Sequence, residues 1–290
     1  MRVLHPTDGR PPAMAAARLL TALGDPATIE VTVLYVDEFA NRTVADRVAD
    51  EVLGEAVKHF AGAGLAADVK RAHGGVKRAI EEELVAGEHE LIAMGVGNTG
   101  WLGGLVLGGI STFVLHRSRV PTLVVHRPPI DGRERVRVVV GTDGSSAANR
   151  GIDTLMALTR PDRCEVFVRS VVELPVPERA GVAEMAATSS IDPGVTEETE
   201  DADRLMRKTL ERFSDAGFAC DGDVVRGSAV VALLDAVHDR DADLAVVGTR
   251  GRGRFTAIAL GSVSGHLVRA APATLVARDP SEYQDDEALG

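Results

Sequence analysis

Val138-Val139-Val140-Gly141-Thr142-Asp143-Gly144 is a β-branched run that stops at a polar glycine turn. Val3-Leu4-His5-Pro6-Thr7-Asp8-Gly9 has the same form, and Asp8 and Asp143 lie 143 − 8 = 135 residues apart. Two later echoes sit 153 residues apart: Leu91-Ile92-Ala93-Met94-Gly95 with Leu244-Ala245-Val246-Val247-Gly248, and Leu107-Gly108-Gly109-Ile110-Ser111 with Leu260-Gly261-Ser262-Val263-Ser264. The chain is written twice, and the second copy carries 153 − 135 = 18 extra residues. They fall in 173–203, a polar, proline-containing acidic stretch expected to be a mobile loop. Arg127-Pro128-Pro129-Ile130-Asp131-Gly132-Arg133 reads as the linker, which gives domains over 1–127 and 134–279 and an acidic tail over 280–290.

In the second copy the apolar runs predict strands over 136–142, 164–171, 221–226, 244–248 and 274–277. Helical patterns fall between them, over 147–158, 197–216, 229–239 and 262–270. Parallel neighbours need long right-handed crossovers. The expected fold is therefore α/β: two tandem, doubly wound, five-stranded parallel-sheet domains of Rossmann-like form. The fifth strands, 121–126 and 274–277, are apolar edges that tend to pair.

Composition narrows the function. The 290 residues carry a net charge of −11, and aromatics make up 3% of them, so neither phosphate-backbone affinity nor base stacking is favoured. Two cysteines, Cys164 and Cys220, build neither a disulfide framework nor a zinc site. They read as reduced packing residues of a cytoplasmic protein, and no signal segment precedes the first strand. Residues 91–115 are uncharged, with Gly104-x-x-x-Gly108, but their seven glycines favour a strand, a loop and a helix over a membrane span. No P-loop, dinucleotide fingerprint, nucleophile elbow or zinc helix is present. No catalytic residue and no protein metal ligand are predicted, and His5 and His266 read as structural or surface residues.

In a doubly wound sheet, ligands bind beyond the carboxyl ends of the strands where the strand order reverses. That places Thr142, Asp143 and Ser145 after the first strand, Val171 after the second, Gly227 after the third, and Val247 and Gly248 at the end of the fourth. The loop Gly248-x2-Gly251-x9-Gly261-Ser262 follows, bearing Arg250, Arg252 and Arg254. Glycines let backbone approach a ligand, Ser262 is positioned to cap a helix, and amides with arginines suit a triphosphate. The first copy retains Asp8, Val36, Gly74 and Gly95. Asn98 and Gly109 occupy the places of the second glycine and the serine, and its loop holds Trp101, Leu102 and Leu105 with no cation.

The chain resembles a tandem member of the universal stress protein family, whose ATP-binding members carry Gly-x2-Gly-x9-Gly-(Ser/Thr). The motif is complete in the second copy at Gly248, Gly251, Gly261 and Ser262. The resemblance implies adenosine held by Asp143 and the backbone at Val171, a site lined by Gly227, and phosphates at Gly251, Gly261, Ser262 and Val263. Mg²⁺ would be held through the phosphates. It further implies a nucleotide-dependent stress-response or signalling regulator, with ATP bound mainly by the second domain. The implied partners are an adenine nucleotide and another protein, for example a membrane transporter docking on the apolar first loop. The family's dimers often join through fifth strands, which suggests an internal pseudo-dimer, and two chains can add a homodimer. The alternatives are a slow ATP-hydrolysing or adenylyl-transferring enzyme on the same fold, and a nucleotide-free scaffold.

Overall fold

Runs of valine, leucine and isoleucine bounded by glycine and proline make the strands, because β-branched side chains pack well on a pleated surface covered on both sides. The computed structural model describes residues 1–37, 42–97, 107–130, 132–173, 193–249 and 260–279. The first half runs β1 (Arg2–Pro6), α1 (Pro11–Leu23), β2 (Glu30–Asp37), α2 (Arg42–Gly62), β3 (Ala66–His73), α3 (Val76–Ala86), β4 (Leu91–Gly95), α4 (Gly109–Arg117) and β5 (Thr122–Val125). The second repeats it as β6 (Val136–Gly141), α5 (Ser146–Leu158), β7 (Cys164–Val172), α6 (Pro193–Asp215), β8 (Ala219–Arg226), α7 (Ala229–Asp239), β9 (Leu244–Gly248), α8 (Ser262–Ala270) and β10 (Ala273–Ala277).

All ten strands form one sheet, in the order β3-β2-β1-β4-β5-β10-β9-β6-β7-β8. Each half is parallel, and the halves meet through antiparallel β5 and β10, with Ala273 opposite Val125 and Val276 opposite Thr122. The apolar fifth strands thus cover each other's edges. In each half the order reverses between the first and fourth strands, where β1 pairs with β4 and β6 with β9. Because the halves run antiparallel, their carboxyl-end crevices open at opposite ends of the sheet.

One core spans the junction on the face covered by α1, α2, α5 and α6, joining Leu20, Leu23 and Phe60 of the first half to Leu155, Leu158 and Phe213 of the second. The opposite face is split between the two halves and bridged by Leu115, Val124, Val268 and Val276. Polar bonds reinforce the bridge reciprocally. His126, just past β5, donates to the Val268 carbonyl in the last turn of α8 (2.6 Å), and Arg278, just past β10, donates to the His116 carbonyl of α4 (3.0 Å). Helix ends leave such carbonyls without intrahelical partners, so each half caps a helix of the other.

Several details depart from the sequence reading. β7 continues through Val172, so Val171 lies inside a strand rather than beyond it. α6 begins at Pro193, inside the stretch read as a loop, because proline suits a first helical turn. The rest of that insertion, 174–192, lies outside the described residues, as does the tail from 280. Residues 91–115 give β4 and α4, and no described helix is long and apolar enough to cross a membrane. Cys164 is buried, which pushes its thiol up to about 12, and burial also raises the half-buried Cys220 thiol.

His5 is fully buried on β1. Its Nδ1 donates to the Ala93 carbonyl (3.0 Å), and its ring stands edge-on to Phe60. The corresponding residue of the second half is Val140, also buried. Burial holds the His5 imidazole neutral down to about pH 4, against 6.5 for an ordinary histidine. The unfolded chain takes up a proton as pH falls through 6.5 and the folded chain does not, so folding stability falls between pH 6.5 and 4 by up to about 3 kcal/mol. His5→Val should flatten this acid slope whatever it does at pH 7. Urea midpoints at pH 7 and 4.5 check it, and parallel slopes in both proteins would contradict the assignment.

Candidate functional site

The crevice of the second half is built on the turn after β6. The Thr142 amide donates to the Arg169 carbonyl (3.1 Å), which extends the ladder one residue past the strand, and Gly144 turns the chain with φ +78°. Thr142 Oγ1 accepts from the Gly144 amide (3.3 Å), and Asp143 Oδ1 accepts from the Ser145 amide (3.0 Å). Ser145 Oγ accepts from the Ala148 amide (3.2 Å) and so caps α5. Ser145 therefore has a structural task beside any role toward a ligand. Asp143 is half-buried at the mouth of the crevice.

The first half repeats the turn: Gly9 has φ +74°, and Asp8 Oδ1 accepts from the Arg10 amide (3.0 Å). Asp8 is exposed, however, and α1 starts on Pro11 and Pro12, with Arg10 as an N-cap that makes no side-chain bond.

Across the crevice stands the end of β9. Val247 is a buried core residue packed with α7 and α8. Gly248 serves packing: a Cβ there would lie 2.8 Å from the Ala148 amide nitrogen and 2.9 Å from the Ala147 Cβ, so a side chain would push α5 off the sheet. Gly95 has the same role more severely, 1.8 Å from the Pro12 carbonyl oxygen.

Thr249 is buried, and its carbonyl accepts from the Gly261 amide (2.9 Å) and from Ser264 Oγ (3.2 Å). The loop from Thr249 to Gly261 is therefore pinned at its neck, and a Cβ on Gly261 would lie 2.4 Å from that Thr249 oxygen. Gly261, not Ser262, is the N-cap of α8, and among the described residues no side chain caps the helix. Ser262 is the exposed first helical residue and Val263 the second. The first amides of α8 have no intrahelical acceptors and no acidic side chain in the first turn, the electrostatic setting an anion needs. Arg250, Gly251, Arg252 and Arg254 lie outside the described residues. Gly227 closes the third side with φ +140° and its amide on the Val172 carbonyl (3.1 Å); among the described residues a Cβ there would meet nothing within 4 Å.

Two features escaped the sequence reading. In the first half, the positions matching Val172 and Val224 are Asp37 and Arg71. Buried Asp37 pairs with Arg71 (3.0 Å), Arg71 also holds Asp46 (2.6 Å), and His73 stands 3.4 Å from Asp37. Hydrogen bonds to Asp37 and then Asp46 raise the Arg71 pKa above its ordinary value. The rim beside the first crevice is thus ionic where the second is aliphatic. The second feature is Lys77 at the start of α3, whose Nζ lies 3.8 Å from where a Cβ on Gly109 would stand, at the first turn of α4. A cation reaches the first crevice from another helix, although its loop has none. Residues 98–106, including Trp101, Leu102 and Leu105, lie outside the described residues.

The universal stress protein family model matches residues 1–126 and again 135–277. The chain belongs to the universal stress protein family. A universal stress protein of Mycolicibacterium smegmatis is 30% identical over 187 residues, which cover 63% of this chain and 59% of that protein. A Mycobacterium tuberculosis universal stress protein is 28% identical over 205 residues, covering 64% and 61%. The matched region thus spans about three-fifths of these relatives' own length. A universal stress protein from Archaeoglobus fulgidus has the same fold, with a TM-score of 0.68 at 22% identity over 96% of this chain and 98% of that one.

The packing role of Gly248 is testable. Gly248→Ala should destabilise the protein by about 1–3 kcal/mol, the usual range for overpacking. Gly97→Ala, whose Cβ would find Pro12 Cγ at 3.6 Å, should be near neutral. Chemical denaturation of both variants checks the pair, and equal stabilities would remove the argument.

Proposed function

We propose that this universal stress protein binds an adenine nucleotide, ATP, in the crevice of its second domain and uses it to regulate a protein contact during stress response or signalling. The observation that carries this reading is the glycine-pinned neck, which holds the amino end of α8 just past β9, the strand beside β6 and its Asp143 turn. The fit is favourable at each end. Half-buried, aliphatic Val171 suits a nucleobase, no described atom stands within 4 Å of a Cβ at Gly227, and the half-buried Asp143 carboxylate suits ribose hydroxyls. The amides of Ser262 and Val263, joined by Arg250, Arg252 and the Gly251 backbone, suit phosphates. Among the described residues no three His, Cys, Asp or Glu side chains converge on a metal position, so Mg²⁺ would arrive with the phosphates and keep its waters.

In this proposal residues 1–127 form a domain with a degenerate nucleotide motif and 134–279 one with the intact motif. The ionic rim of Asp37 and Arg71 and the exposed Asp8 weigh against ATP in the first crevice, and Lys77 supplies only part of the missing charge. Nucleotide bound in the second crevice changes the surface offered there to a partner protein in the cytoplasm.

Asp143→Ala should weaken ATP binding about tenfold, the scale of one hydrogen bond to a charged group. Asp8→Ala should change it less than about twofold. Asp143→Asn keeps an acceptor for the Ser145 amide, so a loss retained in that variant is a loss of ligand contact and not of the turn. Calorimetry with Mg-ATP reads all three, and equal losses at Asp8 and Asp143 would reject the assignment to the second domain.

A further inference from the structure

We infer a second anion site, for a small multivalent phosphate, in the cleft between the two halves beside the linker. A cavity of about 440 Å³ opens there, lined by Arg18 and Thr21 of α1, Arg133 and Arg135 ahead of β6, and Arg163 ahead of β7. This volume is in the range of small-molecule sites. Arg163 is fixed, its Nη1 donating to the carbonyls of Thr21 (3.0 Å) and Ala22 (3.5 Å), which orient the guanidinium without neutralising it. Arg133 is held by Asp241 (2.5 Å) and Asp243 (2.9 Å). Arg18 and Arg135 are exposed and form no ion pair among the described residues. Four guanidinium groups and two carboxylates, Glu134 and Asp243, line the cleft. With Asp241, which also holds Arg133, three carboxylates stand against four guanidinium groups, so the cleft keeps a positive excess in a chain of net charge −11.

The fold does not require that charge. At the 135-residue offset, Arg18 corresponds to Asp153, which pairs with Arg212, and Arg163 corresponds to Thr28. The related place in the other half therefore lacks the arginines, and the linker lies only on this side. Guanidinium groups match phosphate oxygens through paired N–H donors and stay charged at every physiological pH. Their spread around the cleft suits a ligand with more than one phosphate, which touches several at once. The site is separate from the nucleotide crevice, for Val136 at the amino end of β6 lines it while the crevice lies past that strand's carboxyl end.

Inorganic pyrophosphate titrated into the full chain at low ionic strength tests the inference. Arg18→Ser with Arg135→Ser should weaken one equivalent of uptake by about tenfold or more, and the difference should shrink as salt rises. The two side chains are exposed and unpaired, so the melting temperature should not move. The glycine loop is untouched in this variant, and pyrophosphate bound there is common to both proteins. Equal uptake by the two proteins, no uptake by the unaltered chain, or sulfate binding as tightly as pyrophosphate would overturn the assignment.

Discussion

The antiparallel pairing of β5 with β10 is the constraint on which the molecule depends. Each half alone would expose the apolar edge of its fifth strand, a ready template for pairing with another chain. Joined, the two edges close into a single ten-stranded sheet, and the core beneath α1 and α5 becomes continuous across the seam. The same pairing fixes the outward geometry, because antiparallel halves send their crevices to opposite ends. The turns after β1 and β6, with Asp8 and Asp143, therefore lie at opposite ends of the sheet.

Duplication within one chain also frees the seam from symmetry. Gly24 and Thr159, related by the 135-residue offset, bridge each other and so sit where an axis relating the halves would pass. The next equivalent pair is Asp25 and Arg160, with carboxylate and guanidinium 4.0 Å apart. In a dimer of identical chains this contact would set aspartate against aspartate or arginine against arginine, which repel. The pair is partly exposed and contributes little to stability. Its value here is diagnostic, since it shows that positions equivalent by descent have taken opposite charges. Arg18 against Asp153 follows the same pattern, and Asp37 against Val172 sets a charge against an apolar residue, both at places where a ligand would feel the difference.

Much of the architecture was legible because it rests on local signals. The apolar runs fixed β9 and α7 to the residue, and the paired echoes at two offsets exposed both the repeat and the insertion. What escaped depends on distance in space. Lys77 lies 32 positions before Gly109 in the chain, and only the packing of α3 beside α4 brings them together. Asp37 and Arg71 meet because β2 and β3 are neighbours, a pairing that no local pattern announces. Ser262 was read as the cap from its residue type, but Gly261 takes that place because its backbone must meet the Thr249 carbonyl. Gly248 carries a motif position for a reason the motif hides, the close approach of α5.

The neck of the loop decides which crevice is better prepared for phosphate. In the second half the Gly261 amide closes on the Thr249 carbonyl, and Ser264 Oγ reaches the same oxygen, so the first turn of α8 is held before any ligand arrives. At the matching place of the first half, a Cβ on Gly108 would find, among the described residues, only Ser111 Oγ at 4.0 Å, where one on Gly261 would strike the Thr249 oxygen at 2.4 Å. The first neck is therefore open where the second is closed. Fixing loose backbone opposes binding by about 1–2 kcal/mol for each residue ordered. A pinned neck spares Thr249 and Gly261 that cost and holds the first turn of α8 in place. The two crevices thus differ in preorganisation as well as in charge, and both differences favour the same half.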